Sequence, residues 1–180
     1  MEYVDLYLIH WPVSEKTADT WRAMEQIKAQ GLARALGVSN FEPRHLDELM
    51  GGANVEPSVN QVELHPNLQQ HHIRAANAAI GCLTQAWSPL KKAQVLSDGT
   101  IGRIADELGV TPAQTVLRWL LQSGIATISK SVRQHRIREN RDVFSFSLSP
   151  DQIAAIDSLD RRGPRRSRSR RQGLLRGADG

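Results

Sequence analysis

One cysteine, two tyrosines and no apolar run of membrane-spanning length set the first limits on this 180-residue chain. The single thiol, Cys82, excludes an internal disulfide and any multi-cysteine metal site, and is expected to act as a small buried apolar residue. The first residues carry no basic n-region or cleavage pattern, so the expectation is a soluble cytoplasmic protein with no membrane partner. Acidic residues are nearly missing from one end: residues 161–180 hold eight arginines and one acid, Asp179, a balance of +7 that leaves −3 for residues 1–160. The pI of about 9.6 therefore belongs to the tail "RRGPRRSRSRRQGLLRGADG". Its low apolar content predicts disorder over 161–180, beyond a folded region of 1–160.

What is present is enough apolar material for a core, 40% of residues, in a regular alternation. Strand-like runs fall at Tyr3 to Ile9, Ala33 to Val38, Val59 to Leu64, Cys82 to Ala86 and Ile125 to Ile128. Between them "TADTWRAMEQIKAQG", "EPRHLDELMGG", "QQHHIRAANAAIG" and "TIGRIADELGVTPAQTVLRWLLQSG" have apolar residues at helical spacing and end in glycine. A helical pair, "VRQHRIREN" and "SPDQIAAIDSLD", follows, and Ser149-Pro150-Asp151 is a strong helix start.

Strand and helix units of about 30 residues predict an α/β fold with a parallel sheet, either doubly wound or a (β/α)8 barrel. No Gly-rich phosphate loop follows any strand, and polar residues gather at the strand C-terminal ends: His10, Ser39 with Asn40, Gln61 with Glu63, Trp87 with Ser88, Lys130 with Ser131. Both observations favour the barrel, whose active site is built at that face.

Taken in order, "DLYLIHWP", "RALGVSNF", "NQVELHP", "AWSPL" and "ISKSVRQHRIREN" resemble the fourth to eighth strand units of the aldo-keto reductase family. The resemblance covers residues 2 to about 160 and is nearest in flavour to bacterial reductases of diketogluconate and similar small carbonyls. It implies a partial TIM barrel, units 4 to 8, and NADP-dependent reduction of aldehydes and ketones by hydride transfer.

The chemistry of the residues agrees. A nicotinamide carboxamide offers a donor and an acceptor, which suits Ser39, Asn40 and Gln61, and the flat indole of Trp87 suits stacking on its ring. Lys130, Arg136 and Asn140 suit a 2′-phosphate and an adenine, which favours NADP over NAD; the resemblance adds Ser131 and Glu139 to this clamp. Ser88 and Leu90 match pyrophosphate contacts. Two departures stand out: Ser129 replaces a usual proline, which is expected to loosen the strand end, and Lys91 with Lys92 replace a usual glycine, which hinders backbone approach to the pyrophosphate.

His10 matches the histidine that orients and polarises the substrate carbonyl, a role that a neutral imidazole fills by donating one hydrogen bond. The family's proton donor is a tyrosine whose pKa is lowered by a lysine, itself paired with an aspartate. All three lie on the first three units, about 90 residues that precede "DLYLIHWP" in the family. Tyr3 and Tyr7 lie at odd offsets from His10 and so point to the opposite face of the strand, and nothing holds Lys16 near the site. Met1 then reads as an internal methionine taken as the start, and the Arg/Ser run after "DSLD" as a frameshifted or divergent end. Five strands alone would expose two sheet edges, through which self-association is expected.

Three other readings compete with this one. "IADELGVTPAQTVLRWLL" imitates a helix-turn-helix, and with the basic tail it suggests nucleic-acid binding. However, Val116, Leu117, Trp119, Leu120 and Leu121 leave only Gln114, Thr115 and Arg118 as polar readers, so this helix is built for burial. In "HPNLQQHHI" the adjacent His71 and His72 diverge by about 100° on a helix, and with His65 they read as surface histidines and not as a metal site. The third reading keeps the family and drops catalysis: an inactive remnant that binds NADP weakly.

Overall fold

The computed structural model describes residues 2–161 apart from the Lys92 side chain; the rest of the basic tail, and the disorder expected of it, lies outside the described residues. Five strands, β1 (Val4–Ile9), β2 (Ala33–Ser39), β3 (Val59–Glu63), β4 (Leu83–Trp87) and β5 (Ala126–Thr127), neighbour one another in sequence order, and every pairing is parallel. A doubly wound sheet reverses its strand order at a switch point, whereas a barrel wall does not. The observed order is that of the wall.

Helices α1 (Thr17–Ala29), α2 (Pro43–Met50) and α3 (His71–Ala79) return the chain between the first four strands. A short 3-10 segment over 91–97, α4 (Gly99–Leu108) and α5 (Pro112–Gln122) connect β4 to β5, and α6 (Gln134–Arg141) and α7 (Pro150–Asp157) follow. The break between α4 and α5 comes at Gly109, whose φ of 65° suits a residue without a Cβ. Prolines at the first turn and reciprocal capping pairs start three helices: Glu42 with His45, Thr111 with Gln114, and Ser149 with Gln152.

Two strand boundaries differ from expectation because helix ends claim the backbone first. Cys82 N–H donates to the Asn77 carbonyl (2.9 Å) and Ile125 N–H to that of Leu120 (3.0 Å), so both residues belong to turns. Ile128 N–H still reaches the Ala86 carbonyl at 3.1 Å, which prolongs the pairing of the two-residue β5.

One sheet face is covered by helices and the other is open. Ile9, Leu36 and Val38 pack with Trp21, Met24, Leu46 and Leu49, and a second cluster gathers Val62 and Ala86 with Ile101, Ile104, Leu117 and Trp119. Strand alternation puts Leu8, Gly37, Ser39, Val59, Gln61, Gln85 and Trp87 on the open face. Gly37 has no room for a side chain: a Cβ there would lie 2.5 Å from Leu8 Cδ2 and 2.7 Å from the Val59 carbonyl oxygen.

The helix that imitated a DNA reader is buried. Gln114 and Thr115 are 8% and 0% exposed, Gln114 Nε2 donates to the Asp142 carbonyl (2.7 Å), and Arg118 Nη1 to that of Val143 (3.1 Å). Its polar residues are committed to the protein's own backbone.

Candidate functional site

The C-terminal ends of β1, β2 and β4 meet through one side chain. Asn40, the residue after β2, adopts φ 63°, a left-handed conformation that asparagine tolerates better than most residues. Its Nδ2 donates to the His10 carbonyl (3.1 Å) and to Ser39 Oγ (3.0 Å), and its Oδ1 accepts from Trp87 Nε1 (2.9 Å). Between them, at the end of β3, the Gln61 carbonyl accepts from Ser39 Oγ (2.8 Å) and from Asn40 N–H (2.9 Å). Four of the expected cofactor residues, Ser39, Asn40, Gln61 and Trp87, therefore form one network, joined to His10 through its backbone.

A fully buried polar cluster supports this network from the helix-covered side. Asn60 Nδ2 donates to the Phe41 carbonyl (3.0 Å) and to Asn77 Oδ1 (2.9 Å), and Asn77 Nδ2 donates to Thr84 Oγ1 (2.9 Å). Phe41 follows Asn40 and Asn60 precedes Gln61, so the cluster clamps the site loop onto the sheet. Satisfied polar groups of this kind specify one arrangement, because leaving any of them unpaired in the interior costs about 1–3 kcal/mol.

On the open face Gln61 Nε2 donates to Gln85 Oε1 at 2.7 Å. The His10 ring is exposed beside Trp11, with centroids 6.3 Å apart, and has no hydrogen-bond partner among the described residues. Tyr3 and Tyr7 lie away from it. Tyr3 sits under the Arg34 guanidinium, 4.0 Å from the ring centroid, and Tyr7 shares the face of Ile9.

The second group of expected residues lies past β5. Asn140 Nδ2 donates to Ser129 Oγ (3.2 Å), so Ser129 ties α6 to the segment after β5 through a hydroxyl that proline lacks. Glu139 Oε1 accepts from Thr111 Oγ1 (2.6 Å), and Ser131 Oγ accepts from Arg133 N–H (3.2 Å). Lys130 and Arg136 are exposed, and neither has a carboxylate within ion-pair distance among the described residues.

After β4, Ser88 and Lys91 both adopt left-handed backbone, φ 54° and 44°, and the Ser88 carbonyl accepts from Lys91 N–H at 2.8 Å. Leu90, expected as a pyrophosphate contact, packs its side chain against the core.

The histidines divide. His71 and His72 are exposed as expected, with side chains 58% and 61% accessible. His65 is a correction: it is 2% exposed, its Nε2 lies 3.5 Å from Glu63 Oε1, and its Nδ1 has no partner among the described residues. Among the described residues no three potential ligands cluster to hold a metal ion. Cys82 is buried, and burial pushes its thiol up to about 12.

Gln85, Thr111 and the Asn60–Asn77 pair contact site residues but were missed in the sequence. Only Gln85 carried a usable signal: it lies two residues before Trp87, and so on the same strand face.

The Aldo/keto reductase family model matches residues 1–161. Glyoxal reductase from Bacillus subtilis (strain 168) is 47% identical over 161 residues, which cover 89% of this chain and 58% of the relative. Methylglyoxal reductase DkgA from Yersinia pestis is 44% identical over 164 residues, 89% of this chain and 59% of the relative. The chain thus spans about three-fifths of the length of these relatives. Among solved structures, apo Gox0644 superposes with a TM-score of 0.86 at 46% identity, covering 88% of this chain and 60% of that one. A mutant of Gox0644 in complex with NADPH also gives 0.86, at 45% identity over 89% and 60%. Sequence, strand order and superposition agree over the same stretch, and the chain belongs to the aldo/keto reductase family.

Proposed function

We propose that these residues form the NADP(H)-binding side of a carbonyl reductase that acts on small aldehydes and ketones, with glyoxal and methylglyoxal the leading substrate class. The observation that carries the reading is the network of Ser39, Asn40, Gln61 and Trp87, which sets amide and hydroxyl groups around the edge of an indole held by its own N–H. The donor set fits the cofactor. Amide groups and a flat ring suit a nicotinamide, and the unpaired Lys130 and Arg136 suit a 2′-phosphate, with Ser131, Glu139 and Asn140 beside them.

When bound, the cofactor supplies hydride to a carbonyl carbon. The chain's own residues do the rest. The His10 ring, free of other hydrogen bonds among the described residues, donates to the carbonyl oxygen and polarises it. Trp87 presents a face for stacking, while Ser39, Asn40 and Gln61 hold the carboxamide so that one ring face is turned to the substrate. Ser88 and the backbone at Leu90 lie where the pyrophosphate would pass. A protonating tyrosine is not among these strand ends, so turnover depends on a donor outside the described residues. A cytoplasmic setting belongs to this reading, as does self-association through the edges of β1 and β5, which have no further strand beside them among the described residues.

The test is to titrate the purified chain with NADPH while following cofactor and tryptophan fluorescence, and then to assay methylglyoxal reduction. Quenching that saturates supports the reading, with or without turnover. Binding without turnover would identify the inactive remnant that binds NADP. Absence of quenching at millimolar NADPH would overturn it.

A further inference from the structure

Between Lys130 and Arg141 the chain holds five basic residues, Lys130, Arg133, Arg136, Arg138 and Arg141, and one acid, Glu139. Glu139 stands three residues after Arg136 on α6, a spacing at which opposite charges meet on a helix surface. The two do not pair: among the described residues no carboxylate lies within ion-pair distance of Arg136. Glu139 Oε1 instead accepts from Thr111 Oγ1 at 2.6 Å, at the head of α5. That hydroxyl is itself held. Its oxygen accepts from Gln114 N–H (3.2 Å), and Glu139 Oε1 is the only acceptor of its proton among the described residues. Gln114 Oε1 accepts from Thr111 N–H (3.0 Å) and its Nε2 donates to the Asp142 carbonyl (2.7 Å), so backbone groups on both sides fix which way this amide points and tie the head of α5 to the end of α6.

We propose that Thr111 is a positioning residue: by holding the Glu139 carboxylate at the head of α5, it keeps Arg136 out of an intrahelical ion pair and open to the 2′-phosphate of the cofactor. The inference rests on the NADP(H) reading above and deepens it. Without the hydroxyl, the Glu139 carboxylate is free to turn to Arg136 along the helix surface. It then occupies the guanidinium and sets a negative charge where a phosphate must sit, so the phosphate loses one attraction and meets one repulsion. Thr111 and Glu139 are both half-buried whereas Arg136 is exposed, which favours the bond that is made over the pair that is not. The same hydroxyl therefore serves two ends, as the cap of α5 and as the tether of the one acid beside the cations.

The experiment titrates the full 180-residue chain with NADPH and NADH, which differ only in the 2′-phosphate, and reads the ratio of the two affinities. Both carry the adenine, so any effect on the base cancels in the ratio. The unaltered chain is expected to prefer NADPH by about tenfold or more. Thr111→Gly keeps most of the cap and removes the hydroxyl; it is expected to lower the preference about threefold, the size of one exposed ion pair. Thr111→Ser keeps the hydroxyl and should keep the preference. The deciding comparison repeats Thr111→Gly on a Glu139→Gln background, where no carboxylate is left to release: there the change should leave the preference as it is in Glu139→Gln alone. Saturable NADH binding shows that each variant is folded. A preference that does not fall in Thr111→Gly, that falls as much in Thr111→Ser, or that falls equally on both backgrounds overturns the role of Thr111 and leaves the cofactor reading standing. An unaltered chain that binds neither cofactor, or both alike, overturns the two together.

Discussion

Trp87 Nε1 donates to Asn40 Oδ1 at 2.9 Å, joining the end of β4 to the end of β2 over the intervening strand β3. The bond ties the indole to the Ser39–Asn40 corner, and it is the only side-chain hydrogen bond of Trp87 among the described residues. Trp87→Phe keeps a ring and removes the donor. It is expected to weaken NADPH binding about fivefold by calorimetric titration, in line with about 1 kcal/mol for one hydrogen bond. Trp87→Tyr restores a hydroxyl in a different place and is expected to recover only part of the loss. Equal affinity in all three proteins would sink the role given to this bond.

On the NADP(H) reading proposed above, Lys130 and Arg136 would set the choice between cofactors. Both are exposed and unpaired among the described residues, so neutralising them removes attraction for a phosphate without leaving a buried charge behind. The double substitution Lys130→Ala/Arg136→Ala is expected to weaken NADPH binding by tenfold or more and to change NADH binding less than twofold. The NADPH affinity of the unaltered chain should also fall with added salt more steeply than that of the variant.

Much of this site was legible because strand ends carry polarity that a buried strand otherwise lacks. His10, Ser39, Asn40, Gln61 and Trp87 each interrupt or end an apolar run, and the order of the motifs supplied the family. The remainder depended on contacts between residues far apart in the chain. That Thr111 caps α5 is visible in Thr111-Pro112, but its bond to Glu139, 28 residues on, is a product of how α6 packs. His65 was misread because histidine next to proline looks like a surface turn. The turn is real, an isolated bridge between His65 and Leu68, but it folds under the helices and takes the ring inside.

Lys91 pays for its backbone. Its φ of 44° is in the region that favours glycine, which accounts physically for glycine being usual at this place in the family. The position has no ion-pair partner among the described residues that a change would break. Lys91→Gly is expected to stabilise the chain by about 1 kcal/mol and to raise the melting midpoint by about 3 °C, measured by calorimetry. Lys91→Ala keeps the Cβ and with it the strain, so it should leave the midpoint nearly unchanged. If alanine and glycine stabilise alike, the gain comes from lost charge and not from backbone relief.

Cys82 makes stability depend on pH at the alkaline end. Burial raises the thiol from 9.0 to about 12, so the folded state holds its proton where the unfolded chain releases it. A group whose folded pKa lies above its unfolded value contributes fully below the unfolded pKa, and that contribution is lost as pH rises toward the folded one. Between pH 9 and pH 12 the unfolding free energy should therefore fall by about 1.4 kcal/mol per pH unit more than in Cys82→Ala, which has no thiol to titrate. Below pH 8 the two proteins should differ by a constant amount set by packing alone. Urea titrations at half-unit steps from pH 7 to pH 10.5 measure both regimes. In the same range the native thiol should react slowly with a disulfide reagent and the denatured one quickly, because the thiolate is the nucleophile and burial suppresses it. Parallel pH profiles for the two proteins, together with rapid labelling of the native chain, would mean that Cys82 titrates as an exposed thiol.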